Sequence, residues 1–301
     1  MSTEIETASE VQALITRPGF NIMTNEGKEE LAELLYTAPQ TDSPVIHRFG
    51  PGIYIREAHY QKGDLVIGHE HLQEHTNILL KGKIQVIDGD GLPQVLEAPY
   101  IFTAKAGRKL GLMLEDVIWQ NIYATTETDI ETLDNLLFKQ TDSWIKYTEA
   151  KLKEATVNSQ EDRDDFDLML KQTGWTAEGI RACSDYNEDK IPFEYGSYAV
   201  VSGNSPIQGK GMFATAPFLT GMPVMSARIN GKRTPGGYLV NHSKTPNVEA
   251  VINHNGDIYL IAIKTIYGMK GGLLGDEITL DYRQIMKLNN LWDGVDKCPQ
   301  Q

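Results

Sequence analysis

The 301-residue sequence predicts a mostly β protein with an α-helical linker. Three observations carry that expectation. Short runs of alternating apolar and polar residues fill 46–126. An apolar periodicity of helical spacing takes over across 127–195, and strand-like alternation returns across 196–285. A polar tail and one helix over 1–45 and a tail over 286–301 complete the division. The length suffices for two cores of ordinary size.

Composition narrows the function classes. A hydrophobic share of 41% fits a soluble globular protein, and no run of apolar residues is long enough to cross a bilayer. The first residues are acidic and polar, unlike a signal peptide, so no membrane association and a cytoplasmic location are expected. A net charge of −13 argues against nucleic-acid binding, which depends on Lys and Arg neutralising phosphates. The acidity lies in the first two thirds: residues 127–190 hold 16 acids and 8 bases, residues 191–301 hold 8 and 10. Such a charge serves solubility and would also attract a lysine-rich protein. The two cysteines, Cys183 and Cys298, lie far apart and outside metal-ligand spacing, so neither a disulfide framework nor a cysteine-rich zinc cluster is expected.

Along the chain, Thr24 or Asn25 caps a helix over 26–36, in which Leu31, Leu34 and Leu35 recur at helical spacing and after which Pro39 blocks continuation. Alternating runs from Ile46 to Tyr123 then predict several short strands in a small barrel or sandwich, with Asp88-Gly89-Asp90-Gly91 as a hairpin turn. Within them, Gly63, His69, His71, His75 and Gly82 resemble the first motif of the cupin family, with His75 where Glu is usual. His69, His71 and His75 share parity, so on a regular strand they project from one face. Three converging imidazoles would suit a divalent transition metal. The other reading leaves them as polar residues on a barrel wall. The second cupin motif is degraded, with Gly107 kept and Leu110 in a ligand position.

From Thr128 to Ala155 an apolar stripe of Ile130, Leu133, Leu136, Leu137, Trp144, Ile145 and Leu152 predicts helix packed on a neighbouring domain or subunit. The charged stretch 157–165 reads as an exposed linker or cap. Residues 166–186 predict two short helices, with Gly174 near the turn and Thr176 as a cap.

Three further motifs follow in order. Gly209-Lys210-Gly211-Met212-Phe213-Ala214 is succeeded by Asn241-His242-Ser243, with Pro246 and Asn247, and then by Gly275-Asp276-Glu277-Ile278-Thr279-Leu280-Asp281-Tyr282. Each alone passes for a turn or a strand end. In this order they resemble the SET domain, the family of S-adenosylmethionine-dependent protein lysine methyltransferases, over about a third of the chain. The resemblance implies a SET-like β fold in which Lys210, Gly211 and Met212 line the methionine part of S-adenosylmethionine. It gives Asn241 and His242 the cofactor's amino group and adenine, and makes Tyr282 the catalytic tyrosine. The chain departs from the family in a short insert between Met212 and Asn241, in Lys244 where Cys is usual, and in a long loop over 268–275.

The fold class is therefore a cupin-like N-terminal β-barrel joined through helices to a SET-like C-terminal β fold. The expected function is methyl transfer from S-adenosylmethionine to an exposed lysine of a protein substrate. A non-catalytic binding or structural protein and a cupin metal-dependent oxygenase stand as alternatives. The combination also resembles proteins encoded in tailed-phage genomes, which would place it in a host cytoplasm or a virion, and a homo-oligomer is compatible with the helical stripe.

Overall fold

The computed structural model describes residues 13, 16–87 and 94–288. The chain divides into two compact units, one of residues 1–150 with 269–273 and one of residues 151–268 with 274–301. The predicted hairpin turn at 88–91 and Cys298 lie outside the described residues.

The first unit opens with α1 (Asn25–Leu35), whose Thr24 side chain accepts from the Gly27 amide at 3.0 Å, the cap expected from the sequence. It continues through β1 (Val45–Gly50), β2 (Ile53–Tyr60), β3 (Leu65–Ile67), β4 (Glu70–His71), β5 (His75–Lys81), β6 (Lys83–Ile87), β7 (Gln94–Glu97), β8 (Tyr100–Ala104), β9 (Leu110–Met113) and β10 (Val117–Ala124). Strands β1, β2, β10, β5 and β8 lie side by side in that order, and β3, β9, β6 and β7 form a second antiparallel sheet. Leu79, Trp119 and Val117 from the first sheet pack with Ile84, Val86, Leu96 and Met113 from the second, so the sheets face one another across one apolar layer.

Register orders the inner face of the larger sheet. One cross-strand row reads Val45, Ala58, Trp119, Leu79 and is apolar. The next inward row reads His47, Arg56, Asn121, Asn77 and is polar. The row beyond it contains Phe49, Tyr54 and Tyr123. The interior thus changes across a few ångströms from a dry core to a polar, aromatic wall.

The expected helical stripe over 128–155 is interrupted. α2 (Ile130–Leu137) ends in the short strand β11 (Phe138–Lys139), which pairs with β4, and α3 (Asp142–Asn158) follows. Ile130, Leu133 and Leu137 are buried as the periodicity predicts, whereas Leu136 and Ile145 are exposed.

The second unit contains α4 (Gln160–Thr173) and α5 (Ala177–Asp185). Gly174, at φ +71°, ends α4, and Thr176 caps α5 by accepting from the Gly179 amide, as expected. The stretch 157–165 is not a linker, because most of it forms the end of α3 and the first turns of α4. Cys183 on α5 is disulfide-bonded, against the expectation of unpaired thiols.

The remaining elements are β12 (Gly196–Tyr198), β13 (Val200–Asn204), β14 (Lys210–Ala214), β15 (Pro223–Ile229), β16 (Lys232–Arg233), α6 (Pro235–Tyr238), β17 (Asn241–His242), β18 (Val248–Ile252), β19 (Ile258–Ala262), β20 (Glu277–Leu280) and α7 (Tyr282–Leu288). One sheet runs β13-β14-β20-β17 and the other β16-β15-β19-β18. β20 is antiparallel to β14 and parallel to β17, so the three motifs share one sheet. Met212, Ile278 and Leu280 from it pack with Val248, Leu260 and Ile266 in a single core. Among the described residues no helix is long and apolar enough to cross a membrane.

Two turn glycines of the first unit differ in a way that can be measured. Gly63 and Gly82 both hold positive φ, at +92° and +87°. A Cβ on Gly63 would meet nothing within 4 Å, whereas one on Gly82 would lie 2.1 Å from the Asp116 carbonyl oxygen. Gly63→Ala should therefore cost about 1–2 kcal/mol from the left-handed conformation alone, and Gly82→Ala clearly more, as read from urea unfolding midpoints. Equal costs would contradict the packing at Gly82.

Candidate functional site

The motifs of the second unit meet at Asn241. Its Nδ2 has two hydrogens for three acceptors, Gln208 O at 3.1 Å, Lys210 O at 2.9 Å and Glu277 Oε1 at 2.7 Å, so that one hydrogen is shared as the glycine loop, β17 and β20 are drawn together. Ser205 Oγ also donates to the Glu277 carboxylate. Asn247 copies a strand, donating from Nδ2 to Glu277 O and accepting the Thr279 amide on Oδ1. Asn241 Oδ1 accepts no hydrogen bond among the described residues and is not a fully enclosed orphan, so one strong acceptor stays open beside the exposed residues Gln208, Gly209 and Lys210.

The glycines serve the protein's own contacts first. A Cβ on Gly211 would lie 2.3 Å from Glu277 Oε1, so the close approach made possible there belongs to that carboxylate. Met212 is in the core, leaving only backbone for other partners. Burial pushes the Glu277 carboxyl up against the opposing pull of the Asn241 and Ser205 hydrogen bonds.

His242 is fully engaged. Nδ1 accepts from the Tyr282 amide at 3.2 Å, which places the ring proton on Nε2, and Nε2 donates to Asp165 Oδ2 at 3.0 Å. Burial lowers its pKa, keeping it neutral despite Asp165. Asp165 is held low mainly by Arg283, whose guanidinium grips it from two nitrogens. Asp162 accepts from Ser243 Oγ at 2.7 Å and from the Lys244 amide. Phe166 lies edge-on to Tyr282, with ring centroids 6.2 Å apart, and 6.0 Å from His242. Tyr282 begins α7 instead of ending a strand; it is half-buried, donates its hydroxyl to Val240 O at 2.8 Å, and desolvation of the hydroxyl raises its pKa.

Lys210, Gly211, Met212, Asn241, His242 and Tyr282 are thus brought into one neighbourhood. Asp162, Asp165 and Phe166 on α4 were missed, because a dense run of charges reads as solvated chain. The repeat of acids at 162 and 165, one helical step apart, was the available signal.

The histidines of the first unit do not sit on one strand. The strand pattern is interrupted at 68–69 and the chain bends at 72–73, which breaks the parity that placed 69, 71 and 75 on one face. His71 and His75 stack flat on one another, with centroids 4.1 Å apart and planes within 11°. His69 instead meets the edge of Trp144. A shared metal needs ring lone pairs converging at about 2.0–2.1 Å, and stacked rings send theirs side by side. Among the described residues no three His, Cys, Asp or Glu side chains are placed to hold a metal. The set does not fit a metal in this geometry, and no chemistry is routed through one.

These imidazoles are instead parts of a polar, aromatic wall. His71 Nδ1 bonds Tyr123 Oη and His47 Nδ1 bonds Tyr54 Oη, each at 2.8 Å. His75 Nδ1 donates to Gln73 O at 3.1 Å. Burial, with nearby cations adding to it, depresses His47 to about 3, His69 to about 4 and His71 to about 2.

No protein-family model and no curated protein matches the chain. Among solved structures it is similar to a cupin superfamily protein from Desulfitobacterium hafniense, at 12% identity over 27% of this chain and 75% of that one, with a TM-score of 0.23. An RmlC-like cupin family protein with a double-stranded β-helix fold from Methanocaldococcus jannaschii matches at 13% identity over 28% and 83%, with a TM-score of 0.25. KdgF from Halomonas sp. matches at 14% identity over 27% and 82%, with a TM-score of 0.23. Likenesses this weak carry no residue role to this chain.

Depressed imidazoles make stability depend on pH in a defined direction. Below about pH 6.5 the unfolded histidines bind protons that the folded ones refuse, so stability is full above that pH and falls as pH drops toward 4. Each imidazole contributes a slope of up to about 1.4 kcal/mol per pH unit. Asp134, raised by burial to about 6, opposes this in part by taking up a proton in the folded state as pH falls from 6 to 3.8. The urea midpoint at pH 5 should lie well below that at pH 7.5; a flat profile would show that the histidines are not buried neutral.

Proposed function

We propose that the second unit binds S-adenosylmethionine and transfers its methyl group to a lysine amine of a protein substrate. The observation that carries this reading is Asn241, which ties the glycine loop to β20 with its amide hydrogens and leaves Oδ1 open to accept from an ammonium group. The exposed edge of Gln208, Gly209 and Lys210 next to it suits the polar methionine part of such a ligand. The pairing of β20 with both β14 and β17 supports the SET-like fold expectation.

S-adenosylmethionine supplies an electrophilic methyl on a sulfonium. The neutral substrate amine forms the new N–C bond as the S–C bond breaks in line, a neutral thioether leaves, and the alkylated nitrogen then releases a proton to solvent. The chain's task is orientation and exclusion of water. Phe166, His242 and Tyr282 form a half-buried aromatic group, and an apolar wall of that kind favours the uncharged lysine amine. The α4 carboxylates Asp162 and Asp165 position this group through Ser243, His242 and Arg283. The first unit we take as a cupin-like accessory domain, on the strength of its two facing antiparallel sheets and the turns at Gly63 and Gly82.

One observation favours a second reading, binding without transfer: the Tyr282 hydroxyl hydrogen is committed to Val240 O inside the fold. Calorimetry with S-adenosylmethionine and S-adenosylhomocysteine, paired with transfer of labelled methyl to a lysine-rich protein, separates the readings. The expected outcome is binding at micromolar to millimolar concentration, weakened about tenfold or more in Asn241→Ala, one charged hydrogen bond's worth. Tyr282→Phe should retain cofactor binding while transfer falls. Binding without transfer in the wild type supports the second reading, and no binding at millimolar ligand rules out both.

A further inference from the structure

The interior of the first unit holds a cavity of about 220 Å³ whose composition fits neither a dry core nor a metal site. Its walls are largely apolar and aromatic, with Phe138, Trp119 and Trp144 among them. Into it the polar inner row of the larger sheet contributes Arg56, flanked by His47 on β1 and Asn121 on β10. Among the described residues the Arg56 guanidinium makes no hydrogen bond and no ion pair within 4 Å; its one close partner is the face of Phe138, 5.9 Å away. A guanidinium carries its charge at every relevant pH, and its planar fork of donors matches an oxyanion.

Among the described residues no surrounding acid pairs with it directly. His47, His69 and His71 are held neutral by burial, and Arg56 itself helps to depress them. Tyr54 and Tyr123 stay protonated for the same reason. Of the acids, Glu29 is taken by Arg108 and Ser143, Glu70 faces Lys139, and Asp64 accepts the Gln61 amide. Asp134, raised by burial to about 6 and so an anion at neutral pH, acts on Arg56 only through space and makes no ion pair with it. Lys109 adds further positive charge, seen in its lowering of His71 and His75.

We propose that this cavity binds a small organic acid, its carboxylate on Arg56 and its apolar or aromatic body against Phe138, Trp119 and Trp144. The volume equals that of about seven waters, which suits an acid the size of a substituted benzoate or a short fatty acid. A site of this kind is independent of methyl transfer in the second unit, and its test does not involve S-adenosylmethionine.

Calorimetry on the full chain with benzoate, its neutral isostere benzamide, acetate and inorganic phosphate tests it, with the quenching of tryptophan fluorescence as a second reading. Benzoate is expected to bind saturably at millimolar concentration or tighter, at least about tenfold better than benzamide and better than acetate or phosphate. Arg56→Lys should weaken benzoate about tenfold and Arg56→Met should abolish it, with urea midpoints reporting whether each variant folds. Because the acid and amide are compared on the wild-type protein, the result stands even if both variants fail to fold. Equal binding of benzoate and benzamide, phosphate binding as tight as benzoate, or no saturable binding of benzoate up to about 10 mM would each overturn the proposal.

Discussion

The side-chain amide of Asn241 sets the architecture of the second unit. Two backbone carbonyls of the glycine loop and a half-buried carboxylate on β20 meet at a single nitrogen at 241, with Ser205 Oγ as a second donor to the carboxylate. Removing this nitrogen would release three segments at once. The proposed site follows from that constraint: the loop is fixed, Gly211 must lack a Cβ to admit Glu277, and the amide oxygen accepts no hydrogen bond among the described residues.

The first unit is governed by a different constraint, the placement of charge and imidazole in a sheet interior. Its inner face places an apolar row beside a polar one, and the polar row contains a cation without a counter-anion in contact among the described residues. Neutral histidines are the consequence, since burial and neighbouring positive charge both oppose protonation. Stacking of His71 on His75 is open to neutral rings and would be repulsive for charged ones. The same neutrality that gives the unit its pH dependence leaves Arg56 available to an anion.

Much of the fold could be read from local chemistry. Thr24, Thr176 and Gly174 marked helix ends through caps that depend only on nearby residues, and the three ordered motifs of the second unit did converge on one sheet. The failures arose where the outcome depended on distant partners. Asp162 and Asp165 looked solvated because their partners, Ser243, His242 and Arg283, are about eighty or more residues away in the chain. His69, His71 and His75 looked like one face of a strand because the interruption at 68–69 and the bend at 72–73 carry no strong breaker beyond Gly68. Arg56 drew no reading from the sequence, because only cross-strand register with His47 and Asn121 places it in the inner row of the sheet.

The central claim is that Asn241 Oδ1 receives the ammonium group of a bound S-adenosylmethionine. The most direct measurement compares the dissociation constants of S-adenosylhomocysteine and its analogue lacking the α-amino group, for the wild-type protein. Loss of one hydrogen bond to a charged donor, about 1.5–3 kcal/mol, predicts that the deaminated analogue binds at least tenfold more weakly. Equal affinity would contradict the account.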